Sequence, residues 1–206
     1  MSQYFQIHTT HPQGRLVTRT VEIIDKGGVI AYPTDSGYAL GCHIGDKQAL
    51  DRICRIRQID RHHNFTLMCR DLSEVSLYAK VDNVAYRILK AHTPGAYTFI
   101  LPATREVPRR IQHSRRKTIG IRVPDQEVAL AILAQLDQPL MSCSLILPGA
   151  EVPLSDPEDI REILEHQLDA VVDSGVCPLA PTTVVDLTSE VPKLVRAGAG
   201  DTSWVG

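Results

Sequence analysis

Residues 27–41 read GGVIAYPTDSGYALG. Two glycines open the stretch, and Val29, Ile30, Ala31 and Tyr32 form an apolar run with β-branched content, as a buried strand would. Pro33 is expected to end that strand, leaving Thr34, Asp35, Ser36 and Gly37 in a loop. Open α/β sheets bind ligands in the crevice beyond such strand ends. Short hydroxyl residues also cap ordinary turns, and these residues alone leave both readings open.

Upstream, Leu16, Val17, Thr20, Val21 and Ile24 recur at helical spacing, and Gly27 stands where a helix C-terminus favours a left-handed residue. Downstream, Asp46 caps a helix whose apolar positions are Leu50, Ile53, Cys54 and Ile56. A strand over 65–69 leads to a capping box of Asp71 and Glu74, a helix over 83–91 and a strand over 97–101. Strands over 118–123, 139–144, 170–173 and 182–187 then alternate with helices from Asp125 and over 157–166. Residues 102–117 read as an exposed basic loop, and Leu145, Ile146 and Leu147 as an exposed apolar one. No repeat or long linker interrupts the alternation. It predicts one α/β domain over 1–206, an open, twisted, mixed sheet with flanking helices.

Composition narrows the class. A chain that is 43% hydrophobic and 22% charged is neither disordered nor fibrous. The N-terminal residues show no secretory signal, and no apolar run is long enough to span a bilayer, so no membrane partner is expected. The cysteines at 42, 54, 69, 143 and 177 are scattered and form no CxxC pair, which fits reduced thiols in the cytoplasm. No P-loop, HExxH or GxSxG motif is present, and the histidines have no metal-ligand spacing. His62 and His63 read as solvated surface.

The net charge of −2 hides two basic blocks. Residues 52–70 carry five arginines against Asp60 alone, and residues 105–122 carry seven basic residues against Glu106 alone. Residues 151–173 are acidic in turn. Such a chain can present a cationic face at near-neutral charge.

The stretch PTDSGYALG resembles the signature PTDTVYGLG of the YrdC-like, threonylcarbamoyl-AMP synthase family, and length and motif order resemble its YciO branch. Thr34, Tyr38 and Gly41 fall on the signature, and Arg55 and Arg57 on a KxR pair. Thr98 falls on PGxxT, Arg122 on RxP, Ser142 on SAN, Thr182 on STVVD and Arg196 on RxG. The chain departs from the pattern at Arg55, where the family has lysine, at His63 and Asn64 in place of Lys-Pro, and at Ser144 in place of the SAN asparagine. The resemblance implies an open sheet around a large concave basic cleft. In active members the cleft takes ATP, with magnesium as a possible companion, L-threonine and bicarbonate. The threonylcarbamoyl-adenylate they make serves a partner complex that modifies the adenosine next to the tRNA anticodon.

The expected phosphate- or nucleotide-binding residues are Thr34, Tyr38, Arg55, Arg57 and Thr98, with Arg122, Ser142, Ser144, Thr182 and Arg196. No acidic residue lies from Arg52 to Ile59 or from Lys117 to Val123, so a convergence of Arg55, Arg57 and Arg122 would call for an anionic ligand. Asp35 could instead neutralise one of them. Three functions follow. The first is binding of tRNA or double-stranded RNA through its backbone by Arg52, Arg61, Arg109, Arg110, Arg115, Arg116 and Lys117. The second is a threonylcarbamoyl-AMP synthase-like enzyme, weak or with an altered substrate. The third is a protein-interaction module using the loop from Leu145 to Leu147.

Overall fold

The computed structural model describes residues 1–60 and 63–205. In chain order its elements are β1 (Gln3–Gln6), α1 (Gly14–Asp25), β2 (Ile30–Thr34), β3 (Gly37–His43), α2 (Lys47–Arg57), β4 (Thr66–Met68), α3 (Leu72–Tyr78) and α4 (Asn83–His92). They continue with β5 (Tyr97–Pro102), β6 (Thr118–Arg122), α5 (Glu127–Leu136), β7 (Leu140–Ser144), α6 (Pro157–Leu164), β8 (Ala170–Asp173), β9 (Thr183–Asp186) and β10 (Lys193–Arg196). The described strands form one sheet in the order β1-β8-β2-β3-β7-β4-β6-β5-β9-β10. Parallel pairs such as β4 with β6 and β5 with β9 alternate with antiparallel ones such as β3 with β7. The sheet is therefore mixed, as the alternation suggested.

The helices begin and end where local chemistry dictates. Asp46, Asp71 and Asp82 each accept a backbone amide of the first turn of α2, α3 and α4. Glu74 answers by accepting the amide of Arg70 at 2.8 Å. At the end of α1, Gly27 adopts φ of 82°. The amides of Gly27 and Gly28 then close onto the carbonyls of Ile24 and Ile23, so a left-handed residue turns the chain directly into β2. Val17, Val21 and Ile24 of α1 pack with Val128, Ile132 and Leu133 of α5 in one core, beside Ile30 and Tyr32. A larger core gathers Ile53 of α2, Val75 of α3 and Leu89 of α4 with Leu67, Phe99 and Ile121 of the sheet.

Two expectations are corrected. The stretch after Pro33 is not a loop but a hairpin, because β2 runs through Pro33 to Thr34 and pairs back with β3. Pro33 lies opposite Tyr38, whose amide and carbonyl bond instead to Leu154 and Leu145 on the far side. At that pair the ladder asks β2 for no amide hydrogen, so proline is tolerated. Leu145 is likewise not exposed. It is fully buried and bonds through its backbone to Tyr38 and Leu154. An apolar run beside a strand end was read as surface, whereas it continues the pairing of β7 and removes the anchor of the interaction-module reading. No helix among the described residues is long and apolar enough to cross a membrane.

Candidate active site

A cavity of about 520 Å3 opens where β3, β4, β5, β6, β7, β9 and β10 present their side chains. Thr34, Tyr38, Arg57, Thr98, Arg122, Ser142, Ser144, Thr182 and Arg196 all line it. Arg55 does not. It is exposed, and its Nε donates to the carbonyl of Asp51 one turn back on α2. Two residues apart on a continuous helix means about 200° of rotation, so α2 can send only one of the two arginines inward.

The hairpin tip is built from its own hydroxyls. Thr34 Oγ1 donates to the Gly37 carbonyl at 2.6 Å and accepts the Ser36 amide at 3.1 Å. Ser36 can then accept from Arg122 Nη1 at 3.0 Å, while Arg122 Nη2 pairs with Asp35 Oδ1. The pair is buried on both sides, and the alternative raised for Asp35 is the arrangement found. Asp35 Oδ2 and Arg122 Nε remain buried without a protein partner. Further along, Ser142 Oγ lies 2.7 Å from the Tyr32 hydroxyl, and Thr98 Oγ1 lies 2.9 Å from Thr182 Oγ1. Arg196 Nη2 donates to the Thr182 carbonyl at 3.0 Å. Gly198 presses against the backbone of Thr182 so closely that a Cβ there would lie 2.4 Å from its carbonyl carbon.

Arg57 is held differently. Its Nη1 donates to the Ser144 carbonyl at 2.5 Å, and its Nε is buried with no protein partner. The guanidinium also lies beside the Cys143 thiol and draws its pKa down, although burial outweighs this and pushes the thiol up to about 11. Cys143 is thus a neutral thiol near pH 7. His63, beside Arg57, has its pKa lowered by burial first and by the arginine charge second. Its ring meets Phe65 edge-on at 5.3 Å between centroids.

Half-buried His63 in the cavity corrects its reading as surface, while His62 lies outside the described residues. The signal was in the motif order, since His63 stands where the family pattern places Lys-Pro. His113 also lines the cavity, and nothing in its spacing marked it.

The residues expected to touch RNA divide. Arg116 lines the cavity and pairs with Asp186 at 3.2 Å. Arg52 pairs with Asp169 at 2.8 Å, and Arg110 donates to the Gly45 carbonyl at 2.8 Å. Arg109, Arg115 and Lys117 are exposed, and Arg61 lies outside the described residues. Among the described residues no three His, Cys, Asp or Glu side chains are placed to hold a metal ion.

Fold and cavity together define a mixed α/β protein with an arginine-lined cleft. The sequence matches the Sua5, YciO and YrdC family model, described as telomere recombination, over residues 22–198. The chain belongs to this family. It is 59% identical over 201 residues to the uncharacterised protein YciO of Escherichia coli, covering 98% of each chain. The crystal structure of that protein superposes with a TM-score of 0.94. An uncharacterised protein of Haemophilus influenzae is 58% identical over 204 residues, covering 98% of this chain and 99% of the relative. A threonylcarbamoyl-AMP synthase of Chromobacterium violaceum is 35% identical over 179 residues, covering 86% of this chain and 92% of the enzyme.

Proposed function

We propose that the protein is an adenylate-forming enzyme of the threonylcarbamoyl-AMP synthase type. Its substrates would be ATP, bicarbonate and L-threonine or a related amino acid. The observation that carries this reading is Arg57, a guanidinium with a buried, unpartnered Nε and a carbonyl and a thiol as neighbours. An anion there would gain a charge-assisted hydrogen bond in a partly dry cavity, where such bonds are strong. The 35% identity to a threonylcarbamoyl-AMP synthase supplies the reaction class.

In that reaction bicarbonate and the amino acid first join as an N-carboxylate, releasing water. A carboxylate oxygen then attacks the α-phosphorus of ATP, and the bond to the bridging oxygen breaks with its electron pair. Pyrophosphate leaves and the carbamoyl-adenylate remains. Charge grows on the phosphoryl oxygens in the transition state, and Arg57, oriented by its bond to the Ser144 carbonyl, would stabilise it. The hydroxyls of Thr34, Ser142, Thr98 and Thr182 offer neutral hydrogen bonds to the nucleotide and the amino acid. Arg122, neutralised by Asp35, would orient polar groups without adding net charge.

RNA binding has less support, because Arg52 and Arg110 bond to the protein itself. No disulfide joins the cysteines of the described residues, which suits a cytoplasmic setting. The test is pyrophosphate release from ATP with bicarbonate and L-threonine or a panel of amino acids. We expect amino-acid-dependent release that Arg57→Ala lowers at least about tenfold, the loss of one charge-assisted contact. Release no greater than with heat-killed protein for every amino acid would refute the reading.

A further inference from the structure

The loop over 103–117 is basic but well anchored. Val107 and Ile111 are buried, and Gln112 Nε2 donates to the Val107 carbonyl at 2.7 Å. The amide of His113 donates to the Thr118 carbonyl and that of Lys117 to the His113 carbonyl, both at 2.8 Å, which ties the loop to the start of β6. The His113 ring is fixed as well. Its Nδ1 accepts the amides of Arg115 at 3.3 Å and Arg116 at 3.2 Å. A nitrogen that accepts two amide hydrogens holds the neutral ring in the tautomer with its proton on Nε2. The ring thus offers the cavity a hydrogen-bond donor. Beside it, Arg116 lines the same cavity, held by Asp186 at 3.2 Å with its side chain 52% exposed.

We propose that His113 and Arg116 form a second anion subsite, which holds the pyrophosphate end of the nucleotide. The inference rests on the adenylate-forming reading and adds to it a seat for the leaving group. Arg57 is fixed to the end of β7 and Arg116 to the end of β9, with β4, β6 and β5 between them. Arg57 reaches the cavity from the end of α2, and Arg116 from the loop before β6. Both line the one cavity, where a ligand that carries charge at more than one place can meet both.

Exposure decides which end is which. Attack at the α-phosphorus needs a dry, pre-oriented cation, and the buried Nε of Arg57 answers to that. Pyrophosphate takes the electron pair of the broken bond and must then escape to water. The half-exposed guanidinium of Arg116 can accept that charge at the rim and release it, with His113 Nε2–H as the neutral companion donor.

The experiment is calorimetric titration of the full-length protein with inorganic pyrophosphate, AMP and a short duplex RNA, for wild type, His113→Ala and Arg116→Gln. Two variants from independent anchors keep the test open if one fails to fold. We expect pyrophosphate affinity to fall at least about tenfold in each variant, the loss of one charge-assisted contact, with AMP affinity held within about twofold. Unchanged pyrophosphate affinity in a folded variant overturns the subsite. An equal loss of AMP affinity also overturns it, since the loop would then act only by supporting the cavity. Loss of RNA affinity with pyrophosphate untouched assigns the two residues to nucleic acid instead. A specific pyrophosphate loss in a protein that releases none from ATP would sustain the subsite and sink the reaction.

Discussion

Arg57 and Arg122 line the same cavity, yet the fold treats their charges in opposite ways. Arg122 has a carboxylate at its side, and the two side chains of the pair are 8% and 11% exposed. Arg57 bonds to a carbonyl and lies against a thiol. Two charges removed from water together hold each other in place, and either one left alone is costly. The guanidinium of Arg57 is only half-buried, but its Nε is buried without a protein partner among the described residues and is free to bond an anion. On the proposed function, the difference separates a pair buried on both sides that shapes the cleft from a half-buried guanidinium open to the substrate.

The largest expected effect tests that separation through stability. Asp35→Ala leaves the Arg122 charge buried and uncompensated, and should cost about 3–5 kcal/mol of unfolding free energy. Arg57→Ala removes a half-buried guanidinium held by the Ser144 carbonyl, and should change stability by less than about 1 kcal/mol. Urea unfolding of both variants against wild type makes the comparison. Equal losses would show that both guanidiniums are structural.

The next effect appears only when ligand is present. AMP at a hundred times its dissociation constant should stabilise the wild type by about 2.7 kcal/mol. Thermal unfolding across an AMP titration should show the midpoint rising for wild type and staying level for Arg57→Ala. A shift that survives in the variant would move the anion site elsewhere in the cavity.

What the sequence disclosed and what it hid follow the range of the interactions involved. The caps at Asp46 and Asp71 and the turn at Gly27 depend on neighbours within a few residues, and each stands where its local pattern placed it. The hairpin after Pro33 was hidden because proline's missing hydrogen reads as a break. Only the direction of the Tyr38 amide, set by Leu154 far along the chain, shows that no hydrogen was needed. The partner of Arg122 lies 87 residues away, so no window of sequence contains both. Asp35 could be named as a candidate neutraliser, but the choice between Arg55, Arg57 and Arg122 belongs to the sheet. Arg55 was lost to simple helix geometry, which already set it apart from Arg57. His113 owes its place in the cavity to a loop whose packing rests on Val107 and Ile111, and such packing leaves no periodic trace.

The smallest effect is the most pointed, because it reads the Arg57 charge through a neighbour. His63 has its pKa lowered from the ordinary 6.5 by burial first and by Arg57 second, so the folded protein favours the neutral ring. The unfolded chain then binds more protons than the folded one between the lowered value and 6.5. The stabilisation this gives is fully present above 6.5 and is lost as the pH falls through the folded pKa. His63→Gln should therefore flatten that part of the stability profile on the acid side. An anion on Arg57 offsets the second of these causes, adding to the opposing effect of Asp60, so the His63 midpoint, followed by NMR of its ring protons, should move upward when AMP is added. In Arg57→Ala the midpoint should start higher and no longer respond to AMP. Arg122, with Asp35 already beside it, should contribute nothing to this response, and Ser36→Ala, which removes only its hydroxyl partner, should leave the AMP shift of His63 intact. If Ser36→Ala abolished that shift as Arg57→Ala does, the two guanidiniums would be acting as one site, and the contrast between them would fail.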